Sequence, residues 1–269
     1  MQDFHIHPAY SIDARGNAED FVKAAIEKKI KRICFTTHID LNPARAVIDL
    51  WAAPDGYPVP LSKEIMQRYA SEIGTLKKKY AHEIEILKGY EFSYAPDYED
   101  LIESFINKFP ADFMIGSIHC IDDVGFTAGF EASSVLRLYE PLEFMEIYST
   151  RIISLARSGL FDTIGHIDGY KKYAKRNWNM EELREAEETV YPGLFDRLSE
   201  IGAGIEINTS AMRKGFDEFY PSSKILKLAK DKGVMINSIG SDAHRANQVG
   251  FKFKDAMELL DELGIELRI

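Results

Sequence analysis

Short apolar runs alternate along this chain with longer stretches in which apolar residues recur every three or four positions. Asp3 to His7, Arg32 to Thr37, Glu85 to Glu91, Ala111 to His119, Phe161 to Gly165, Gly204 to Asn208 and Met235 to Ser241 are runs of the first kind and read as strands. Between them, Ala18 to Lys29, Leu61 to Tyr80, Tyr98 to Lys108, Leu142 to Ser158, Met180 to Ile201, Ser222 to Lys232 and Phe253 to Leu263 follow the helical period. In the first of these, Phe21, Ala24, Ala25 and Lys28 share one face. The alternation predicts about seven βα units. Repeated βα units favour an α/β fold with a parallel sheet, either closed into a barrel or left open with helices on both sides.

What stands at the ends of the runs separates these two forms. Six of the seven histidines lie there, with carboxylates among them. His5 and His7 close the first run, His38 the second, Glu91 the third, His119 the fourth and His166 the fifth, and Asp242 with His244 follows the last. A barrel collects the ends of all its strands at one face. An open sheet cannot bring its first and last strands to one point, so the ligand-type residues favour the barrel. Neutral imidazole and carboxylate together suit Zn, Mn or Fe, which makes a site for several metal ions the economical reading. His5 and His7 are two apart in a strand, so both rings project to the same side, about 7 Å apart along the chain. His82 precedes a strand instead and is expected on the opposite, solvated end.

Composition narrows the function. With 269 residues, 45% hydrophobic and 28% charged, the chain can bury a full core, and a single domain over 1–269 is expected. A formal charge of -10 and a pI near 5.3 argue against a protein that lives on nucleic-acid backbones. Cys34 and Cys120 offer no disulfide framework and fit a reducing compartment. Cys120 neighbours His119 in a predicted strand end, where adjacent side chains point to opposite faces, so it is expected to be a bystander. No charged-then-apolar leader opens the chain, and no apolar run approaches the roughly 18 residues of a membrane span, so a soluble, cytoplasmic protein without a membrane partner is expected. Two segments break the rhythm: Asn42 to Pro60, with Pro43, Pro54, Gly56, Pro58, Pro60, Trp51 and Tyr57, and Ile121 to Ser134. Each follows a ligand-bearing strand, and each reads either as a substrate wall or lid or as a packed surface loop.

The order His5-Ile-His7, Asp13, His38, Glu91, His119, His166, Asp242-Ala-His244 resembles the metal-binding pattern of the PHP (polymerase and histidinol phosphatase) family over essentially the whole chain. Gly165 to Asp168, Glu206 to Lys214 and Ile239 to His244 resemble segments of its histidinol-phosphate phosphatase branch. The resemblance implies a distorted seven-stranded, TIM-like (βα)7 barrel of PHP type holding two or three divalent ions, Mn, Zn or Fe. It places His5, His7, Glu91 and Asp242 around one ion. Glu91, His119 and His166 hold a second, and Asp13, His38 and His244 a third. Some members carry histidine where this chain has Asp13, whose harder oxygen favours Mn or Fe at that position. The implied activity is hydrolysis of a small phosphomonoester, L-histidinol phosphate in particular, by a bridging water whose pKa the ions lower. Glu91, Asp242 and His244 are the expected catalytic residues, the last two as groups that orient the water or assist the leaving alkoxide.

A phosphate clamp outside the metal centre calls for arginine, whose planar fork matches phosphate oxygens. Arg213, after a strand end, is the first candidate and Arg176 the second; Arg15 and Arg45 also lie in loops after ligand-bearing strands, and Arg151 and Arg157 fall in a predicted helix. Asn208 and Ser241 read either as hydrogen-bonding partners of a substrate or a metal ligand or as polar groups satisfied within the core. The alternatives are a phosphoesterase for nucleotides or other small esters, an amidohydrolase, which shares the HxH and the late aspartate but has no use for Asp13, His38 and His244, and a non-catalytic metal-binding module.

Overall fold

The computed structural model describes residues 1–268. Seven strands, β1 (Gln2–Ile6), β2 (Arg32–Asp40), β3 (Glu85–Ser93), β4 (Phe113–Ser117), β5 (Thr163–Ile164), β6 (Gly204–Asn208) and β7 (Met235–Gly240), form one sheet in chain order. All the pairings within it are parallel. Seven longer helices alternate with them: α1 (Ala18–Glu27), α2 (Lys63–Lys79), α3 (Glu99–Lys108), α4 (Pro141–Ser158), α5 (Met180–Ile201), α6 (Ser223–Asp231) and α7 (Phe253–Glu262). The helices start where the chain supplies caps. Asn17, Ser62 and Asn179 each accept a bond from a first-turn amide, so α2 begins two residues after the expected Leu61. Pro141 occupies the first turn of α4, where its missing N–H costs nothing.

The ring closes through a short seam rather than a full ladder. Ile6 bridges Ala243 in parallel, with His7 N donating to Ala243 O at 2.8 Å. The Asp3 carboxylate, fully buried, supplies the rest by accepting from Ser241 N at 2.9 Å, Ser241 Oγ at 2.5 Å and Gly250 N at 2.9 Å. Burial pushes the Asp3 carboxyl up, and these bonds hold it down only in part. Gly240 allows the approach, since a Cβ there would stand 2.3 Å from His5 Cβ.

The apolar core lies between the outer face of the sheet and the helices, with Phe35, Tyr90, Phe92, Ile205 and Ile207 of the strands packed in it. The alternate positions turn inward and are polar: Asp3, His5, Thr36, Glu91, Ser93, Ser117, Thr163, Glu206 and Ser238 are all buried. Register then builds the site. β2 and β3 pair over nine residues, which sets His38 beside Glu91 and Asp40 beside Ser93. That long pairing also carries β2 to Asp40, past the expected Thr37. The segment Asn42 to Pro60 forms a 3-10 turn (Pro43–Arg45), a helical turn (Ala46–Asp49) and a small antiparallel pair, Trp51–Ala52 with Val59–Pro60. Among the described residues no helix is long and apolar enough to cross a membrane.

Candidate metal centre

Glu91 is the hub. Its Oε2 lies 3.2 Å from His5 Nε2, 3.4 Å from His7 Nε2 and 3.0 Å from His38 Nδ1, while its Oε1 lies 3.4 Å from His119 Nε2 and 2.9 Å from His166 Nε2. Asp242 Oδ1 approaches His7 Nε2 and His244 Nδ1, both at 3.4 Å, and His5 Nε2 at 3.9 Å. Asp13 stands at the outer side, with Oδ2 3.1 Å from His244 Nε2 and Oδ1 3.8 Å from His38 Nε2. Nine residues from six strand ends and one loop thus meet at one face of the barrel. Three donor groups with all ligand atoms within 4.8 Å of one another emerge: His5, His7 and Asp242; Glu91, His119 and His166; and His7, His38 and His244. The last differs from the expected third group in that His7 stands between it and the first, with Asp13 completing it from outside. His82 is exposed and away from the centre.

The donor atoms fit a divalent cation. His5 Nε2, His7 Nε2 and Glu91 Oε2 are buried without hydrogen-bond partners, although they lie within 3.4 Å of one another's residues. Such orphaned donors aimed at a common point cost free energy unless an ion binds them. Their other ring nitrogens are already engaged. His5 Nδ1 lies 2.9 Å from Glu206 Oε2, and His7 Nδ1 3.2 Å from Ser11 Oγ. A histidine that donates from one nitrogen presents a lone pair at the other.

Electrostatics follow from the crowding. Burial opposes the charged form of His5, but Glu206 and Glu91 outweigh it and raise its pKa well above the usual value. His38, buried beside Glu91 and Asp13, is raised to about 9. His7 goes the other way, held neutral by burial and by His38 and His244. Against their own burial, Glu91 and Asp242 are kept ionised by the surrounding histidines and, for Asp242, by Lys214.

Supporting residues hold the centre rigid. Glu206 accepts from His5 Nδ1, from His166 N at 2.8 Å and from Asn208 Nδ2 at 2.9 Å. Ser11 Oγ accepts from His38 N at 3.0 Å, and Gln248 accepts from His244 N at 2.9 Å. Asn208 and Ser241 bond Glu206 and Asp3, which makes both of them structural supports. Asp242 sits at a left-handed φ of 50°, a conformation that aspartate tolerates.

The centre opens into a cavity of about 700 Å³. Arg213 lines it, but its fork is committed: Nη1 donates to Ser241 O at 2.5 Å and Nη2 to Asp242 O at 2.7 Å. It holds the Asp242 turn instead of presenting a free clamp. Arg176 is exposed and outside the cavity lining, because the chain after His166 turns into a short helix, Lys171–Ala174, that carries it away. Two lysines that the arginine reading passed over face the cavity, each with one N–H engaged: Lys172 Nζ donates to Thr127 O at 2.9 Å and Lys214 Nζ to Ser210 Oγ at 3.1 Å. Lys172 and Lys214 line the cavity; Lys214 Nζ is 3.8 Å from Asp242 Oδ2, and burial, with Lys172 and Arg213 nearby, brings it down to about 8. Their signal was present, since both lie directly after ligand-bearing or strand-end segments, but a search for arginine forks overlooks them. Arg45 reaches the cavity yet pairs with Asp49 and Glu131, and Arg151 pairs with Asp97 on the surface.

Cys120 belongs to none of the three donor groups, but it faces the cavity, not the far side of the strand. It lines the cavity, because β4 ends at Ser117 and Cys120 opens a separate hairpin, Cys120–Ile121 with Val124–Gly125, so strand alternation does not carry through His119. Both broken-rhythm segments contribute to the same wall, the first through Arg45, Ile48 and Asp49 and the second through Gly125, Thr127, Ala128, Gly129 and Phe130, with Arg45 bonded to Glu131 between them.

Fold and donor set together define a βα-barrel protein built to hold divalent metal at the mouth of its strands. The profile of the PHP domain family matches residues 3–210, and the chain belongs to that family. It is 28% identical to a probable histidinol-phosphatase of Deinococcus radiodurans, covering 97% of this chain and 93% of that one. With the histidinol-phosphatase of Bacillus subtilis it shares 28% identity over 96% of this chain and 98% of the relative. Its fold matches the histidinol phosphate phosphatase of Lactococcus lactis, crystallised with zinc, L-histidinol and phosphate, at a TM-score of 0.76 and 23% identity over 99% of this chain and 95% of that one. A putative histidinol phosphatase of Listeria monocytogenes matches at 0.81 and 19% identity, over 95% and 99% of the two chains. The distorted seven-stranded barrel of PHP type is therefore the fold of this protein.

Proposed function

We propose that this protein is a metal-dependent phosphatase that hydrolyses L-histidinol phosphate to L-histidinol and phosphate. The observation that carries the reading is the set of orphaned, buried donor atoms around Glu91 in a cavity that also holds two lysines with, among the described residues, no carboxylate partner closer than 3.8 Å. Full-length similarity to histidinol-phosphatases supports the substrate. In this reading His5, His7 and Asp242, then Glu91, His119 and His166, then Asp13, His38 and His244 hold two or three ions, with His7 shared. Divalent ions held there lower the pKa of water and offset charge developing on a phosphoryl group.

The chain's own residues do the rest. Glu206, which can only accept, fixes the tautomer of His5 so that its Nε2 lone pair faces the centre, and Ser11 Oγ holds the orientation of the His7 ring. Arg213 pins the carbonyls of Ser241 and Asp242 and so aims the Asp242 carboxylate. Lys172 and Lys214 receive the phosphate oxygens as compact positive charges. Asp242 and His244, at the cavity wall, orient the attacking water. The same reading takes 1–269 as one cytoplasmic domain acting on a small-molecule ester.

Phosphate release by the Mn-reconstituted protein tests it, with L-histidinol phosphate set beside sugar phosphates and nucleotides. The expected result is kcat/KM at least about a hundredfold higher on L-histidinol phosphate, the margin that buried polar recognition supplies. Equal turnover across the panel, or a nucleotide as the best substrate, would overturn the assignment.

A further inference from the structure

Two sides of the cavity carry opposite charge. Lys172 follows β5 and Lys214 follows β6, whereas Asp40 ends β2 and Ser93 ends β3. In a seven-strand ring taken in chain order, those two pairs of strands stand across the barrel from each other. We propose that Asp40 and Ser93 form a subsite for the cationic nitrogen of the substrate, making this a phosphatase for phosphomonoesters of amino alcohols. The proposal rests on the phosphatase reading above and names which part of the substrate the far wall reads.

Asp40 and His38 are two apart on β2, so their side chains share a face and Asp40 stands one step, about 7 Å, further out from the centre. Asp40 and Ser93 are register partners on neighbouring strands, about 4.8 Å apart. The hydrogen bond to the Asp40 carboxylate comes from Asn42 N at 3.3 Å, and among the described residues no cationic side chain pairs with it. The guanidinium of this wall, Arg45, is taken by Asp49, by Glu131 at 2.7 Å and by the Asp123 carbonyl at 2.8 Å.

Ser93 supplies the independent sign of a ligand. The residue lines the cavity and is 3% exposed, and its buried hydroxyl, beside the Tyr98 phenol, meets no partner at hydrogen-bond distance among the described residues. A buried hydroxyl left unmatched is costly, and a ligand donor or acceptor would satisfy it. Ile48 and Phe130, 49% and 76% exposed at the same wall, give apolar surface on which a flat ring can lie. An ammonium or imidazolium N–H facing Asp40 and Ser93, with the phosphate at the lysines, satisfies both poles at once.

The test measures kcat/KM of the Mn-loaded protein on L-histidinol phosphate and on glycerol phosphate, which lacks a cation. Asp40→Asn, nearly isosteric, should lower the ratio of the two by about ten- to hundredfold, as loss of a charge-assisted bond implies. Ser93→Ala should lower the same ratio by a smaller factor, about two- to tenfold. If both variants lower the two activities together and leave the ratio unchanged, the subsite is refuted. A wild-type protein that hydrolyses both esters equally also refutes it while leaving the phosphatase reading intact. If no phosphomonoester is turned over, the phosphatase reading falls and the subsite falls with it.

Discussion

Glu206 touches no cavity space, yet the geometry makes it decisive for metal affinity. Its Oε1 accepts from His166 N at 2.8 Å and Asn208 Nδ2 at 2.9 Å, so in a Glu206→Gln variant the carbonyl oxygen keeps that position. The amide NH2 then replaces Oε2, which lies 2.9 Å from His5 Nδ1. The NH2 then opposes the Nδ1 proton and leaves it only the 3.1 Å contact to the carbonyl oxygen, already shared with two other donors, which favours the tautomer that carries its proton on Nε2, the atom aimed at Glu91 and Asp242. The ring has little room to step aside, because it is fully buried and the Gly240 backbone packs so close that a Cβ there would stand 2.3 Å from His5 Cβ. Loss of such an orienting bond lowers metal affinity by about 10- to 100-fold, or about 1.4 to 2.8 kcal/mol. Calorimetric titration of Mn into metal-free wild type and variant measures it, with thermal unfolding of both metal-free proteins as the check on folding. Wild-type affinity in a folded Glu206→Gln protein would refute the argument that Glu206 sets the His5 tautomer.

Glu91→Gln removes the carboxylate that faces five histidines, so metal content measured by elemental analysis should drop and turnover fall about a thousandfold or more. Lys214→Met should raise KM for the phosphomonoester by about tenfold, the worth of one charged phosphate contact, while Arg176→Ala, at an exposed position, should leave KM where it was. Arg213→Ala frees the carbonyls of Ser241 and Asp242, so steady-state kinetics should show kcat falling by about tenfold or more with a smaller change in KM. Burial raises the Cys120 thiol to about 12 and the Cys34 thiol well above its usual value, so the thiolate fraction at pH 8 is smaller in the native protein than in the unfolded one. Reaction with a disulfide reagent at that pH should be slow until denaturant is added; a fast native phase would contradict it.

The seven βα units were legible because their signals are local. Periodicity, the caps at Asn17, Ser62 and Asn179, and the left-handed glycines Gly159 and Gly202 that stop α4 and α5 act within a few residues. The metal donors were legible for a related reason: all but Asp13 stand at or just past the end of a strand, and a parallel barrel sends every strand end to one face whatever the details of packing. The fine assignment was not local. Which nitrogen of His5 faces the centre depends on Glu206, 201 residues away, and the placement of His7 between two donor groups depends on the seam between β1 and β7. Whether a cation near the site is free depends on what else it meets in space. Arg213 and Arg45 carry the fork that suits phosphate, but carbonyls and carboxylates brought in by other loops occupy both. Lys172 and Lys214 were left facing the cavity by the same folding. The sequence by itself determined the elements, their order and the kinds of ligand at their ends, since these depend on neighbours along the chain. Only the tertiary structure decided which side chains remain available to a substrate, because availability is set by competition among groups that the barrel alone brings within hydrogen-bond reach.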